Sequence, residues 1–198
     1  VVISTHFSVH YNITGPHATT DEYAQTITYA FEKSWMTVVV NFGFGAPPDT
    51  HMIAYLKDLP SPLLGKTSAY YHPDTRWHVE FIEIDIGLEQ NLARATAAHE
   101  FFHAVELSYD PTEADWISEG MAKWSESRVY PGYTGSYSYV EYVNSYMNNP
   151  DRALPQLSYE AVLFWIFIDQ KYGLDMLKSI LQQTMTKDGI YALDVAFN

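Results

Sequence analysis

Residues 99–103 read HEFFH, inside the longer run ATAAHEFFHAVELSYD. Histidines four apart share one face of a helix, about 6 Å apart, so His99 and His103 can reach one metal ion together. Glu100 stands next to His99 and can aim at a water on that metal. Zinc lowers the pKa of a bound water to about 7, and a neighbouring carboxylate can then take its proton. That chemistry explains why the H-E-x-x-H spacing goes with metal-assisted hydrolysis. With this chain's own His and Glu content, the pattern arises by chance at roughly two in a hundred. The competing reading is a pair of core histidines satisfied by hydrogen bonds, and the surrounding residues have to decide.

A catalytic zinc takes three protein ligands and keeps one position open. Cysteine is absent, which removes thiolate ligands, disulfides and thiol catalysis. The metzincin arrangement needs a Gly three residues after the second His and a third His three residues further. Those positions hold Glu106 and Tyr109, so that arrangement is excluded. The third ligand must come from another segment. Residues 116–120 read WISEG on the next expected helix, and the intervening YDPTEAD is short enough to fold that helix back on the first. Glu119 then faces the histidines. The run ARATAA at 93–98 places small side chains just before His99 and lets another element approach closely.

The elements that must hold these residues follow from periodicity. Phe7, Val9 and Tyr11 alternate with polar neighbours, which implies a half-buried strand over 5–11. Thr19 and Glu22 have capping-box spacing, and apolar residues at helical intervals imply one amphipathic helix over 20–41. NFGFGAPPD ends it. Strands are expected at 51–58, 67–72 and 77–86, with HPDTRW turning between the last two. Helices are expected at 91–109, 115–130, 139–149 and 158–173, the last ending on Gly173, and further helical stretches follow. Strands precede most helices, which argues an α+β fold. The expectation is a single domain over 1–198, with a sheet-containing lobe at 1–90 and a helical, metal-binding lobe at 91–198. The abrupt end after DGIYALDVAFN leads us to expect that the full-length protein continues.

Composition narrows the partners. The formal charge of -13 repels phosphate backbones and argues against nucleic acid and anionic membranes. No apolar run approaches the roughly 20 residues of a membrane span. The start, VVISTHF, has no Met, basic or apolar leader pattern, so the expectation is that any signal peptide was removed or never existed. Other motifs are weaker. LLGKTS has Pro60 where a P-loop needs Gly, which argues against nucleotide binding. His72 and His78 read as turn histidines rather than a second metal site. Asn12 heads a glycosylation sequon. The tyrosines of PGYTGSYSY suit either a surface loop or a mobile cover over a cleft.

HEFFH followed by WISEG resembles the gluzincin metallopeptidases, in which a Glu on the second helix completes the zinc site. WISEGMAKW looks like the W-x-x-E-G-x-A segment of that clan. More narrowly, HEFFHAVELSYD with DWISEGMAKWSESRVY is similar to a group of secreted bacterial metalloproteases. The resemblance spans 6–173 and is strongest over 96–130. It implies a zincin-like fold with the metal site on its central helix. It also implies one Zn2+ held by His99, His103 and Glu119, with Glu100 as general base. A peptide or protein substrate and an extracellular location go with it.

The resemblance further suggests a tyrosine that stabilises the oxyanion, in the pattern S-Y-x-x-G. Ser158 and Tyr159 match, although Val162 replaces the Gly, and Tyr159 is the candidate. Two departures matter. Lys123 stands where the thermolysin type has an Asp that supports the site, leaving Asp115, Glu126 and Ser118 as open choices for orienting the histidines. No G-x-M-E-N counterpart grips a free amine, which favours an endopeptidase. Zinc peptidases of this shape hold substrate along a sheet edge, and the strand at 77–86 suits either that role or that of an ordinary sheet strand. The rival readings are a zinc hydrolase of non-peptide substrates and a binding module with structural zinc.

Overall fold

The computed structural model describes residues 1–73 and 76–198, so the turn expected at HPDTRW lies partly outside the described residues. The fold is α+β, with one mixed five-stranded sheet and seven α-helices among the described residues. The strands are β1 (Val2–Ile3), β2 (Phe7–His10), β3 (Met52–Lys57), β4 (Gly65–His72) and β5 (Arg76–Asp85). Their order in the sheet is β1-β2-β3-β5-β4. β2, β3 and β5 run parallel, while β1 and β4 pair antiparallel at the two edges. Strand alternation puts Phe7, Val9, Met52, Ala54, Leu56, Ile82 and Ile84 into the core. Of the two readings of the strand at 77–86, the topology gives the ordinary sheet strand. β5 is paired on both sides, by β3 and β4, and the free edge near the histidines belongs to β4. The strong apolar pattern of 77–86 reflects that central position.

Helix α1 (Asp21–Trp35) packs against α2 (Gln90–Glu106) and against β2. Phe7 stacks on Phe31 at 4.7 Å between ring centroids and meets Phe101 edge-on at 6.0 Å. The α1 cap is Thr20, whose hydroxyl accepts from the Tyr23 N–H at 3.1 Å, one residue past the expected capping position. The single helix expected over 20–41 divides. Residues Met36–Asn41 form a π-helical turn in which the Phe42 N–H reaches the Thr37 carbonyl at 3.0 Å. The β-branched run Val38-Val39-Val40 disfavours regular α-helix there.

The second helical layer holds α3 (Asp115–Val129), α4 (Tyr139–Asn148), α5 (Val162–Tyr172), α6 (Leu174–Thr184) and α7 (Ile190–Phe197). The segment expected as one helix from 158 begins instead as a 3-10 turn at Tyr159–Ala161 before α5. Small residues bring α2 and α3 together: Ala97 and Ala98 are fully buried, and the Ser125 hydroxyl lies 3.2 Å from the Ala98 carbonyl. On its other side α3 meets the 3-10 turn and α5 at Gly120. A Cβ on Gly120 would lie 2.7 Å from Trp165 Nε1 and 2.9 Å from Ala161 Cβ. Trp165 stacks on Trp116 at 5.7 Å and donates to the Trp116 carbonyl at 2.8 Å, which holds that approach. One apolar core runs through sheet and helices alike. No helix among the described residues is long and apolar enough to cross a membrane.

The fit at Gly120 has a measurable consequence. Gly120→Ala inserts a methyl group against a fixed indole, and overpacking of this kind costs about 1–3 kcal/mol. Urea unfolding followed by tryptophan fluorescence should show the midpoint falling with an unchanged slope.

Candidate metal centre

HEFFH lies in the C-terminal half of α2 and WISEG in the first turns of α3. The loop between the helices folds α3 back on α2, as its length suggested. His99, His103 and Glu119 converge as expected. His99 Nε2 lies 3.0 Å from Glu119 Oε2 and 3.1 Å from His103 Nε2, and His103 Nε2 lies 3.6 Å from Glu119 Oε2. Three donor atoms meet at one point and form a candidate cation site.

The outer nitrogens explain the arrangement. His99 Nδ1 donates to Glu126 Oε1 at 2.8 Å, and His103 Nδ1 donates to Glu106 Oε2 at 2.7 Å. A carboxylate accepts only, so each Nδ1 carries a proton, and in the neutral imidazole each Nε2 then presents a lone pair inward. Two such lone pairs and a carboxylate facing one another repel unless a cation or protons stand between them. Bonds of 2.0–2.1 Å at a tetrahedral angle would separate ligand atoms by about 3.3 Å, and the observed separations lie around that value. The residues present therefore fit a zinc ion.

Of the three residues left open as orienting groups, Glu126 takes His99. Ser118 lies beside the other histidine, its hydroxyl 3.2 Å from Glu106 Oε2 and 3.5 Å from His103 Nδ1. Asp115 is exposed and makes neither contact. The missed residue is Glu106, three residues after His103 on the same face of α2. Its i,i+3 spacing from His103 is the sequence signal for this contact.

Glu100 is buried beside the three donors and outside their cluster. The Thr67 hydroxyl on β4 lies 2.8 Å from Glu100 Oε2 and 2.8 Å from the Glu100 carbonyl. β4 crosses directly over this side chain at Gly65, where a Cβ would come within 2.8 Å of Glu100 Oε1 and of Thr96. Tyr159, from the 3-10 turn ahead of α5, stands on the other side, its ring 5.8 Å from that of His99. Two cavities flank Glu100. One, of about 360 Å³, reaches Lys123, Tyr137 and Tyr142. The other, of about 390 Å³, runs past His103 and Glu119 to Trp77 and Pro111. His99, Glu100, Gly65 and Tyr159 border both.

Comparisons with protein-family models, with curated proteins and with solved structures give no significant match.

The electrostatics favour an ionised cluster. Burial opposes charge on Glu119, but hydrogen bonds from His103 and His99 hold its carboxyl far below the usual carboxylate range. Burial likewise opposes charge on the histidines, yet Glu119 and Glu126 lift His99, and Glu106 with Glu119 lifts His103 further. Burial first, then Glu119, pushes the Tyr159 hydroxyl up, so it stays protonated and able to donate. For the metal-free chain the sign follows. A histidine raised in the folded state stabilises fully below its unfolded value of about 6.5 and loses that contribution as pH rises through the folded value. Chelator-treated protein should therefore melt at a falling temperature as pH is raised above neutral, with His99 and His103 ring shifts moving in NMR over the same interval. A melting temperature flat across that interval would contradict the pairing.

Proposed function

We propose that the chain is a zinc-dependent endopeptidase of gluzincin type, on a zincin-like fold, acting on peptides or proteins outside the cell. The observation that carries this reading is the convergence of His99 Nε2, His103 Nε2 and Glu119 Oε2 beside a buried Glu100 that is not one of the ligands. His99, His103 and Glu119 would hold one Zn2+. When bound, the ion supplies Lewis acidity that polarises a carbonyl and acidifies water.

The chain's own residues account for the remaining work. β4 offers a free strand edge to an extended peptide, which would bind by main-chain hydrogen bonds across the two cavities. Thr67 holds Glu100 Oε2, leaving Oε1 to accept the proton of the attacking water. Glu100 then returns that proton to the departing amine. Tyr159 keeps its hydroxyl proton and donates to the oxygen that gains charge. Glu126 and Glu106 keep the imidazoles in one tautomer and orientation. A purely structural metal site would have no use for a buried base at Glu100.

Two substitutions test the reading. Glu100→Gln preserves shape and removes the base, so zinc content should stay near one per chain while kcat falls about 10²–10⁴-fold. Glu119→Ala removes a ligand and should lose most of the zinc after dialysis, measured by elemental analysis. A Glu100→Gln protein that cleaves casein or a peptide pool as fast as the parent would remove the mechanism. Full zinc in Glu119→Ala would move the third ligand elsewhere.

A further inference from the structure

Lys123 stands one turn beyond Glu119 on α3 and is only 5% exposed. A lysine buried to this degree has to place its ammonium hydrogens inside the protein. Its Nζ lies 2.8 Å from Glu126 Oε1, the same oxygen that accepts from His99 Nδ1. It lies 2.8 Å from the Tyr137 carbonyl as well. The rings of Tyr142 and Tyr159 face it at 5.1 Å and 5.5 Å to their centroids, within cation–π range. One ammonium group thus joins the carboxylate that orients His99, the oxyanion tyrosine, and the loop between α3 and α4.

The loop end of this contact is unusual. Tyr137 has φ +60, the one non-glycine residue with positive φ among the described residues. A side chain in that conformation is strained, and it persists only where its surroundings hold it. Both backbone polar groups of Tyr137 are held. The carbonyl accepts from Lys123, and the N–H donates to Glu141 Oε2 at 2.5 Å. Fixed in this way, Tyr137 borders the 360 Å³ cavity beside Glu100, opposite Leu63 and Leu64 and next to Tyr142 and Tyr159. The cavity meets β4 at Gly65, where an extended peptide would pass.

We propose that Lys123 is a positioning residue that pins the 131–138 loop through the Tyr137 carbonyl, making Tyr137 a wall of a pocket for an aromatic side chain flanking the scissile bond. The pinning stands on the contacts alone, and the identity of the occupant rests on the peptidase reading. The pocket's composition selects the occupant. Three tyrosine rings and two leucines offer edge, face and aliphatic contacts. Lys123 and Glu126 pair with each other, and the other lining carboxylate, Glu100, lies at the β4 end held by Thr67, so the tyrosine and leucine end of the pocket offers a side chain apolar contacts and no unpaired charge.

The first test needs no metal and no turnover. Chymotrypsin under native conditions reads the loop at Tyr133 and Tyr137, with fragments identified by mass. Lys123→Met keeps the length of the side chain and removes its charge, and cleavage within 131–138 should run at least tenfold faster than in the parent. Tyr137→Gly keeps the carbonyl that Lys123 holds, so cutting at Tyr133 should stay within threefold of the parent rate. Equal rates in the parent and Lys123→Met would overturn the pinning.

The second test uses zinc-loaded protein and a peptide pool. Tyr137→Gly should raise KM at least fivefold for substrates with an aromatic residue beside the cut, with kcat within twofold, and should level the preference for aromatic over small residues. Lys123→Met should show the same loss of preference, and Lys123→Arg should recover part of it. Unchanged KM and preference in Tyr137→Gly would overturn the pocket, and this arm decides even if Lys123→Met fails to fold. A parent that binds zinc yet cleaves no peptide would instead overturn the peptidase reading, while the chymotrypsin rates still decide the role of Lys123.

Discussion

Two carboxylates on the far side of the imidazoles from Glu119 govern the site. Glu126 and Glu106 each take the Nδ1 proton of one histidine, and in doing so turn both Nε2 lone pairs toward Glu119. Without those outer contacts each imidazole could flip or change tautomer, and three donors would meet only by coincidence. The rest of the molecule serves this constraint. Glu106 shares α2 with His103, whereas Glu126 reaches His99 from α3, so that second pairing needs the two helices at one separation and one rotation. Alanines on α2 and the Ser125 contact to Ala98 set that separation.

The same crowding reaches outward on two sides. Gly65 lets β4 pass over Glu100 with no Cβ in the way, which puts an open strand edge within a few ångström of that carboxylate. Gly120 lets α5 and the preceding turn close on α3, which brings Tyr159 to the face of His99. Both glycines have ordinary backbone angles, so their role is the absence of a side chain. The centre is therefore assembled from a helix pair, a strand edge and a turn, each brought in at a point where a small residue permits it.

Charge is concentrated in the same small volume. Glu100, Glu106, Glu119 and Glu126 surround His99 and His103, with Lys123 as the neighbouring ammonium. Buried carboxylates in such numbers require cations or protons, and in the metal-free chain the histidines take up protons readily for that reason. The overall acidity of the chain is a separate property of its surface.

HEFFH and WISEG were legible because helical periodicity is local. The i,i+4 spacing places His99 and His103 on one face whatever surrounds them, and a short loop leaves α3 few directions to take. The alternating strands and the α+β class were legible for the same reason, since a period of two or of 3.6 marks an element before it packs. Pairing across elements was not. Nothing near 77–86 says that β4 rather than β5 forms the edge, because strand order is set by chain crossovers. The i,i+3 spacing puts Glu126 within reach of Lys123, but nothing near Lys123 says that its other partner is a loop carbonyl fourteen residues away. The π-helical end of α1 and the 3-10 start before α5 likewise answer to packing as well as to propensity. The sequence by itself determined which side chains could do chemistry and on which helices they ride. The tertiary structure alone decided which nitrogen faces inward, which strand lies open and which residues hold the centre in place, because those depend on distances between segments far apart in the chain.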